Sequence, residues 1–256
     1  MAIPDIIEAP SLPSLYHIGP PLSQGALPAV FYFSLSGSES LTLDPYNQPA
    51  IFLSKHSLRV FSLTLPGHEG VHPHPGAISA WNQEIESGVD FISAFVSTCS
   101  RAIDFLINRG LVDARYLAAA GLSRGAFVAT HLAAKDSRIK TVLGFAPLTK
   151  LATLPEFQST IDYPLHHQLD LLNFVKQLAG KTVRYHVGNR DTCIGTADCF
   201  NFIHKLTEVA YTHHHRSPPI ELIIYPSVGH KGHGTPPYIF QAGADWLAER
   251  LNIFAD

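Results

Sequence analysis

Six mostly apolar runs of six to eight residues recur along the chain: AVFYFSLS (29–36), RVFSLTL (59–65), YLAAAGL (116–122), TVLGFA (141–146), TVRYHV (182–187) and IELIIY (220–225). Most stop at a breaker: Gly37, Pro66-Gly67, Pro147, Gly188 and Pro226. Short apolar runs bounded in this way predict strands buried on both faces. Between them lies text with helical spacing, over 45–56, 78–108, 124–135, 198–211 and 239–252. In the longest stretch Ile85, Val89, Ile92, Val96, Ile103 and Leu106 share one face, and Gly88 is a natural point of division. Strands alternating with helices predict an α/β fold, a mostly parallel central sheet with helices on both faces.

Two segments depart from this rhythm. Residues 1–27 are rich in proline, serine and glycine and read as an irregular arm with room for one or two short strands. Residues 148–180 are long for a plain crossover between the fourth and fifth strands. A small lid or cap over the carboxyl edge of the sheet is the expected use, because ligands bind at that edge. The competing reading is an ordinary helix with a long loop.

Composition narrows the class. At 256 residues with 46% hydrophobic content, 1–256 is expected to be a single domain with a large core. Charged residues make up only 15% and the net charge is −3. No basic run is present, so nucleic acid and anionic membranes are not expected partners. No apolar run reaches membrane-spanning length, so no membrane span is expected. The opening MAIPDIIEAPSLPSLYHIGPP lacks a basic region and a continuous apolar stretch, so it does not read as a secretory leader. Cys99, Cys193 and Cys199 are too few for a disulfide framework, although a single Cys193–Cys199 bridge stays open. A cytoplasmic location is expected on these grounds.

The strongest local signal is GLSRG, residues 121–125. Five positions with three fixed say little alone. Here an apolar strand precedes them and an alanine-rich helix follows, which is the context of a nucleophile elbow. Gly121 and Gly125 would let strand and helix approach closely. Ser123 would then stand at the amino end of a helix, where unpaired N–H groups favour a developing oxyanion. The bland alternative is a serine that merely caps the helix.

A serine hydroxyl needs a base, and the base needs an orienting acid. GNRD (188–191) follows the fifth strand and offers Asp191; YPSVGH (225–230) follows the sixth and offers His230. Both loops should open on the same sheet edge as Ser123. His233, in GHKGHG, is the alternative base; His230 is favoured because it comes sooner after the strand. Asp198 reads better as a first-turn helix acid, and Asp162 is a poorer third choice. For the oxyanion hole the expected backbone donors are the N–H of Arg124 and that of Leu35 or Ser36. The Arg124 side chain is expected either to form a buried ion pair or to meet a substrate carboxylate.

Together the strand into SLSG, LPGHEG (65–70), GLSRG, GNRD and VGH resemble the α/β-hydrolase superfamily, over roughly residues 28–252. An acid after the penultimate strand is similar to dienelactone-hydrolase-like and prolyl-oligopeptidase-like serine hydrolases. Dienelactone hydrolases proper carry cysteine at the elbow, where this chain has Ser123. A propeller domain like that of the oligopeptidases is not expected, and SLSG stands where lipases of the HGGG type carry that motif. The resemblance implies the α/β-hydrolase fold and ester cleavage through an acyl-enzyme, with no cofactor and a small-molecule ester as partner. A homodimer stays open. The alternatives are a small peptidase, amidase or thioesterase on the same residues, or a ligand-binding relative without turnover.

Fifteen histidines invite a metal reading. His213-His214-His215 lies in a polar loop without converging geometry, and no metal site is expected. His68 and His72 lie in a loop near the active edge and are candidate pocket residues. His166-His167 reads as lid surface, and Trp81 and Trp246 as helix packing. No phosphate-binding glycine loop is present, so no nucleotide is implied.

Overall fold

The computed structural model describes residues 3–69, 74–213 and 215–252. One sheet of eight strands runs through it: β1 (Asp5–Ile7), β2 (Leu15–Ile18), β3 (Leu27–Phe33), β4 (Arg59–Ser62), β5 (Val112–Leu122), β6 (Ile139–Phe145), β7 (Thr182–Gly188) and β8 (Ile220–Tyr225). The spatial order is β1-β2-β4-β3-β5-β6-β7-β8. From β4 to β8 every pairing is parallel, while β1 and β2 add an antiparallel edge. The proline-rich arm thus does contain two short strands.

The apolar runs are continuous because both faces of the sheet are covered. On β3, Phe31 and Phe33 join one core with Trp81, Phe95 and Phe127, whereas Val30 and Tyr32 join the other with Ala50, Phe240 and Leu247. β5 alternates in the same way, Leu117 and Ala119 to the first face, Ala118 and Ala120 to the second. The period of two holds inside a run that is apolar at every position.

The helices are α1 (Gly37–Thr42), α2 (Gln48–Leu53), α3 (His74–Glu86), α4 (Phe91–Asn108), α5 (Arg124–Lys135), α6 (Pro164–Leu169), α7 (Val175–Leu178), α8 (Thr196–Thr212) and α9 (Pro237–Asn252). The long stretch divides where expected: Gly88 has φ of 69°. Asp90 then accepts the Ser93 N–H and caps α4. The expected helix at 45–56 is shorter, confined to α2, and the first strand ends at Phe33, so residues 34–36 form a bend.

Residues 148–180 are neither a plain helix nor a bare loop. They form 3₁₀ turns at Leu151–Thr153, Pro155–Thr160 and Leu171–Phe174, interleaved with α6 and α7. Leu151, Phe157, Leu165 and Leu171 sink into the core beside α5. The His131 ring on α5 donates from Nε2 to the Leu169 carbonyl, at 3.0 Å.

Candidate active site

Ser123 stands where β5 turns into α5. Its φ of 55° and ψ of −117° lie outside the regions an L-residue prefers, a cost of about 1–3 kcal/mol. The surroundings hold it there. Its N–H donates to the Phe145 carbonyl on β6 at 2.9 Å, and its carbonyl accepts from Ala126 at 3.1 Å. The two motif glycines are required sterically. A Cβ on Gly121 would lie 2.2 Å from the Gly125 carbonyl carbon, and one on Gly125 would lie 1.9 Å from the Phe33 carbonyl oxygen. Ser123 makes no side-chain capping bond to α5, so its hydroxyl is left for another partner.

That partner is an imidazole. His233 Nε2 lies 3.0 Å from Ser123 Oγ, and His233 Nδ1 lies 2.7 Å from Asp191 Oδ2. The carboxylate accepts at one ring nitrogen, which therefore carries the proton; the other is left to accept from the hydroxyl. The Asp191 side chain is fully buried. Its Oδ1 accepts the N–H groups of Cys193 at 2.9 Å and Ile194 at 3.2 Å, so both oxygens are satisfied.

The ring that reaches the serine is His233, the alternative, and not the favoured His230. The loop after β8 explains the difference. Gly229 and Gly232 have φ of 82° and 74°, and Val228 pairs with Gly234 across the turn they make. His230 sits exposed at the tip of this turn, and His233 is on the returning limb. The Lys231 carbonyl accepts from both the N–H and Oγ1 of Thr192, at 2.9 and 3.0 Å, tying this loop to the Asp191 loop. Nearness in sequence to the strand end does not select the ring; the fold-back of the glycine turn does.

No family model matches the sequence, and no curated protein does. Solved structures match in shape. TT1662 from Thermus thermophilus has a TM-score of 0.68 at 19% identity, with 97% of each chain covered. A cold-adapted esterase from an Arctic intertidal metagenomic library has a TM-score of 0.65 at 17% identity, covering 96% of this chain and 92% of that one. A puromycin-hydrolyzing peptidase from Mycobacterium tuberculosis has a TM-score of 0.69 at 16% identity. This chain spans 39% of the peptidase's length. With the strand order above, these likenesses decide the architecture. The chain has the α/β-hydrolase fold.

Within this α/β-hydrolase fold the other expected positions fall as follows. Arg124 is the first residue of α5, where its N–H has no partner inside the helix. Leu35 lines a cavity of about 480 Å³ together with Ser123, but its N–H donates to Ser40 Oγ at 2.9 Å. Ser36 caps α1. Asp198 is in the first turn of α8, as expected, paired with Lys150 Nζ at 2.7 Å. Asp162 is exposed in the 148–180 segment. His72 lies outside the described residues.

His68 and Arg124, far apart in sequence, form a pair. The guanidinium donates from Nη2 to His68 Nε2 at 3.2 Å and stacks over Trp81, 5.2 Å from the ring centroid. Burial pushes the Arg124 pKa down to about 10, with Glu156 opposing weakly. No spacing rule in the sequence brings Trp81, His68 and Arg124 together; their contact is purely tertiary.

A second cavity of about 250 Å³ also opens on Ser123, Arg124 and His233, and is walled by Leu154, Glu156 and Lys231. The larger cavity has a more apolar wall, including Leu35, Tyr46, Val228 and Phe240. Donor atoms of Asp191, Cys193 and His233 lie within 4.8 Å of one another. A metal there would have to part Asp191 from His233, and burial beside Asp191 raises the Cys193 pKa and keeps the thiol protonated. All three cysteines are free, so the Cys193–Cys199 bridge is not formed.

Proposed function

We propose that the protein is a serine hydrolase that cleaves carboxylic esters through a Ser123–His233–Asp191 triad. The observation that carries this is the continuous hydrogen-bonded line from hydroxyl to imidazole to buried carboxylate at the mouth of two cavities. In this reading Ser123 Oγ attacks the ester carbonyl while His233 Nε2 takes its proton. Asp191 holds the ring in the tautomer that leaves Nε2 free and stabilises the imidazolium. The same ring then protonates the departing alcohol. Water, activated by His233, releases the acyl group.

The Arg124 N–H would receive the oxyanion first. Leu35 is the second donor in this reading, and its N–H would have to be shared with Ser40 Oγ. The strained backbone at Ser123 supports the assignment, since such strain persists where a side chain must be presented. Residues 148–180 would act as a cap, because Leu154, Pro155 and Glu156 from this segment wall the smaller cavity. Three free cysteines suit a reducing, cytoplasmic setting.

The test is labelling by a fluorophosphonate together with ester turnover. Ser123→Ala should abolish both while keeping the fold. His233→Ala should lower kcat by roughly 10⁴-fold or more, and His230→Ala by less than about threefold. A fully active His233→Ala enzyme ends this reading. Running ester, thioester and aminoacyl-amide substrates in parallel assigns the bond.

A further inference from the structure

The guanidinium of Arg124 is poorly accounted for by its own fold. It is mostly buried, yet its Nη1 has no hydrogen-bond partner among the described residues. Among the described residues its side chain makes one hydrogen bond, to His68 Nε2, which must be an unprotonated, uncharged acceptor to receive it. The guanidinium lies over the Trp81 ring, which supplies only a quadrupole. Among the described residues no carboxylate forms an ion pair with Arg124; Glu156 acts on it only at a distance and is itself exposed. Taking a cation out of water without a counter-charge is unfavourable.

The position of the group suggests what offsets the cost. Arg124 follows Ser123 directly and lines both cavities that open on the hydroxyl. Lys231 lines the smaller one as well, so its charged lining carries two cations against the single carboxylate of Glu156. Guanidinium and carboxylate match in a planar, two-bond geometry that a neutral ester cannot offer.

We propose that Arg124 is an anion receptor of the substrate site, and that the substrates are esters carrying a carboxylate close to the scissile carbonyl. This rests on Ser123 being the nucleophile. The carboxylate displaces water, pairs with the guanidinium that Trp81 and His68 hold in place, and positions the carbonyl over Ser123. Arg124 is thus a specificity residue through its side chain, separately from its backbone N–H, which every substitution but proline retains.

The experiment compares kcat/KM within matched pairs. Mono-4-nitrophenyl glutarate against 4-nitrophenyl pentanoate places the charge on the acyl side. 3-Carboxyphenyl butyrate against phenyl butyrate places it on the alcohol side. The wild type should prefer the charged member of one pair by about tenfold or more, the scale of one charge-assisted hydrogen bond. Arg124→Gln should bring that ratio near unity, and Arg124→Lys should restore part of it. A wild-type ratio near unity in both pairs, or a preference that survives Arg124→Gln, overturns the proposal. Fluorophosphonate labelling of the wild type separates the two ideas. If Ser123 does not label, the nucleophile assignment fails by itself. Calorimetric titration of glutarate into the wild type and Arg124→Gln then decides the anion site without turnover, and equal or undetectable binding overturns it.

Discussion

Gly232 and Arg190 approach so closely that a Cβ on the glycine would lie 2.0 Å from the arginine's carbonyl oxygen. This contact joins the loop after β8 to the loop after β7, and those two loops carry His233 and Asp191. Gly232→Ala should therefore separate the pair. Its φ of 74° adds about 1 kcal/mol of backbone strain to the clash. A displacement of about 1 Å at the ring costs roughly 10²-fold in rate. Gly229 has a similar φ of 82° but open space around its missing Cβ, so Gly229→Ala should lose about 1 kcal/mol of stability and little activity. Steady-state kinetics and urea midpoints of the two variants check this.

Asp191→Asn is expected to fold normally and to lose about 10⁴-fold in kcat, because an amide no longer enforces the tautomer that leaves Nε2 free. Asp198→Asn breaks a partly exposed pair with Lys150 and keeps an amide oxygen for Thr153 Oγ1 to donate to. Its kcat should stay within about threefold, since pairs of that kind contribute less than about 1 kcal/mol. Rates for the two variants, measured with one ester, give the comparison.

Gly125 lies in a helix, where alanine normally stabilises by about 1 kcal/mol. Here the incoming methyl would stand 1.9 Å from the Phe33 carbonyl oxygen on the neighbouring strand, so overpacking wins. Gly125→Ala should destabilise by about 3 kcal/mol or more, or fail to fold. A thermal melt at or above that of the wild type would contradict the close approach of α5 and β3.

His186 on β7 is buried against Phe145, with neither ring nitrogen bonded, and burial lowers its pKa from 6.5 to about 3. His131 is buried likewise and lowered to about 4. Both rings stay neutral in the fold, whereas the unfolded chain takes up their protons below its ordinary value. Their contribution is therefore complete above about pH 6.5 and declines as the pH falls toward 4, by up to about 1.4 kcal/mol per unit for each ring. His186→Leu should flatten this decline and cost little at neutral pH, since it removes two unpartnered polar atoms. Urea unfolding between roughly pH 7.5 and 4.5 measures the slope.

Much of the fold was legible in the sequence. The apolar runs ending in glycine or proline marked β3 through β8, and Gly88 marked the break between α3 and α4. Strand ends, being local turns, also placed Ser123 and Asp191 on one edge. The choice between His230 and His233 was not legible. Three residues of loop can carry a ring toward or away from a site, and only the left-handed glycines and the Thr192–Lys231 bonds determine which.

What the sequence by itself determined is therefore the order and type of the elements, because hydrophobic period and breakers act over a few neighbouring residues. Tertiary structure alone decided which imidazole meets the hydroxyl, where the Leu35 N–H points, and that Arg124 is stacked on Trp81 and bonded to His68. Those outcomes depend on distances between segments up to 110 residues apart, and the local chemistry of a chain carries no record of such distances until packing sets them.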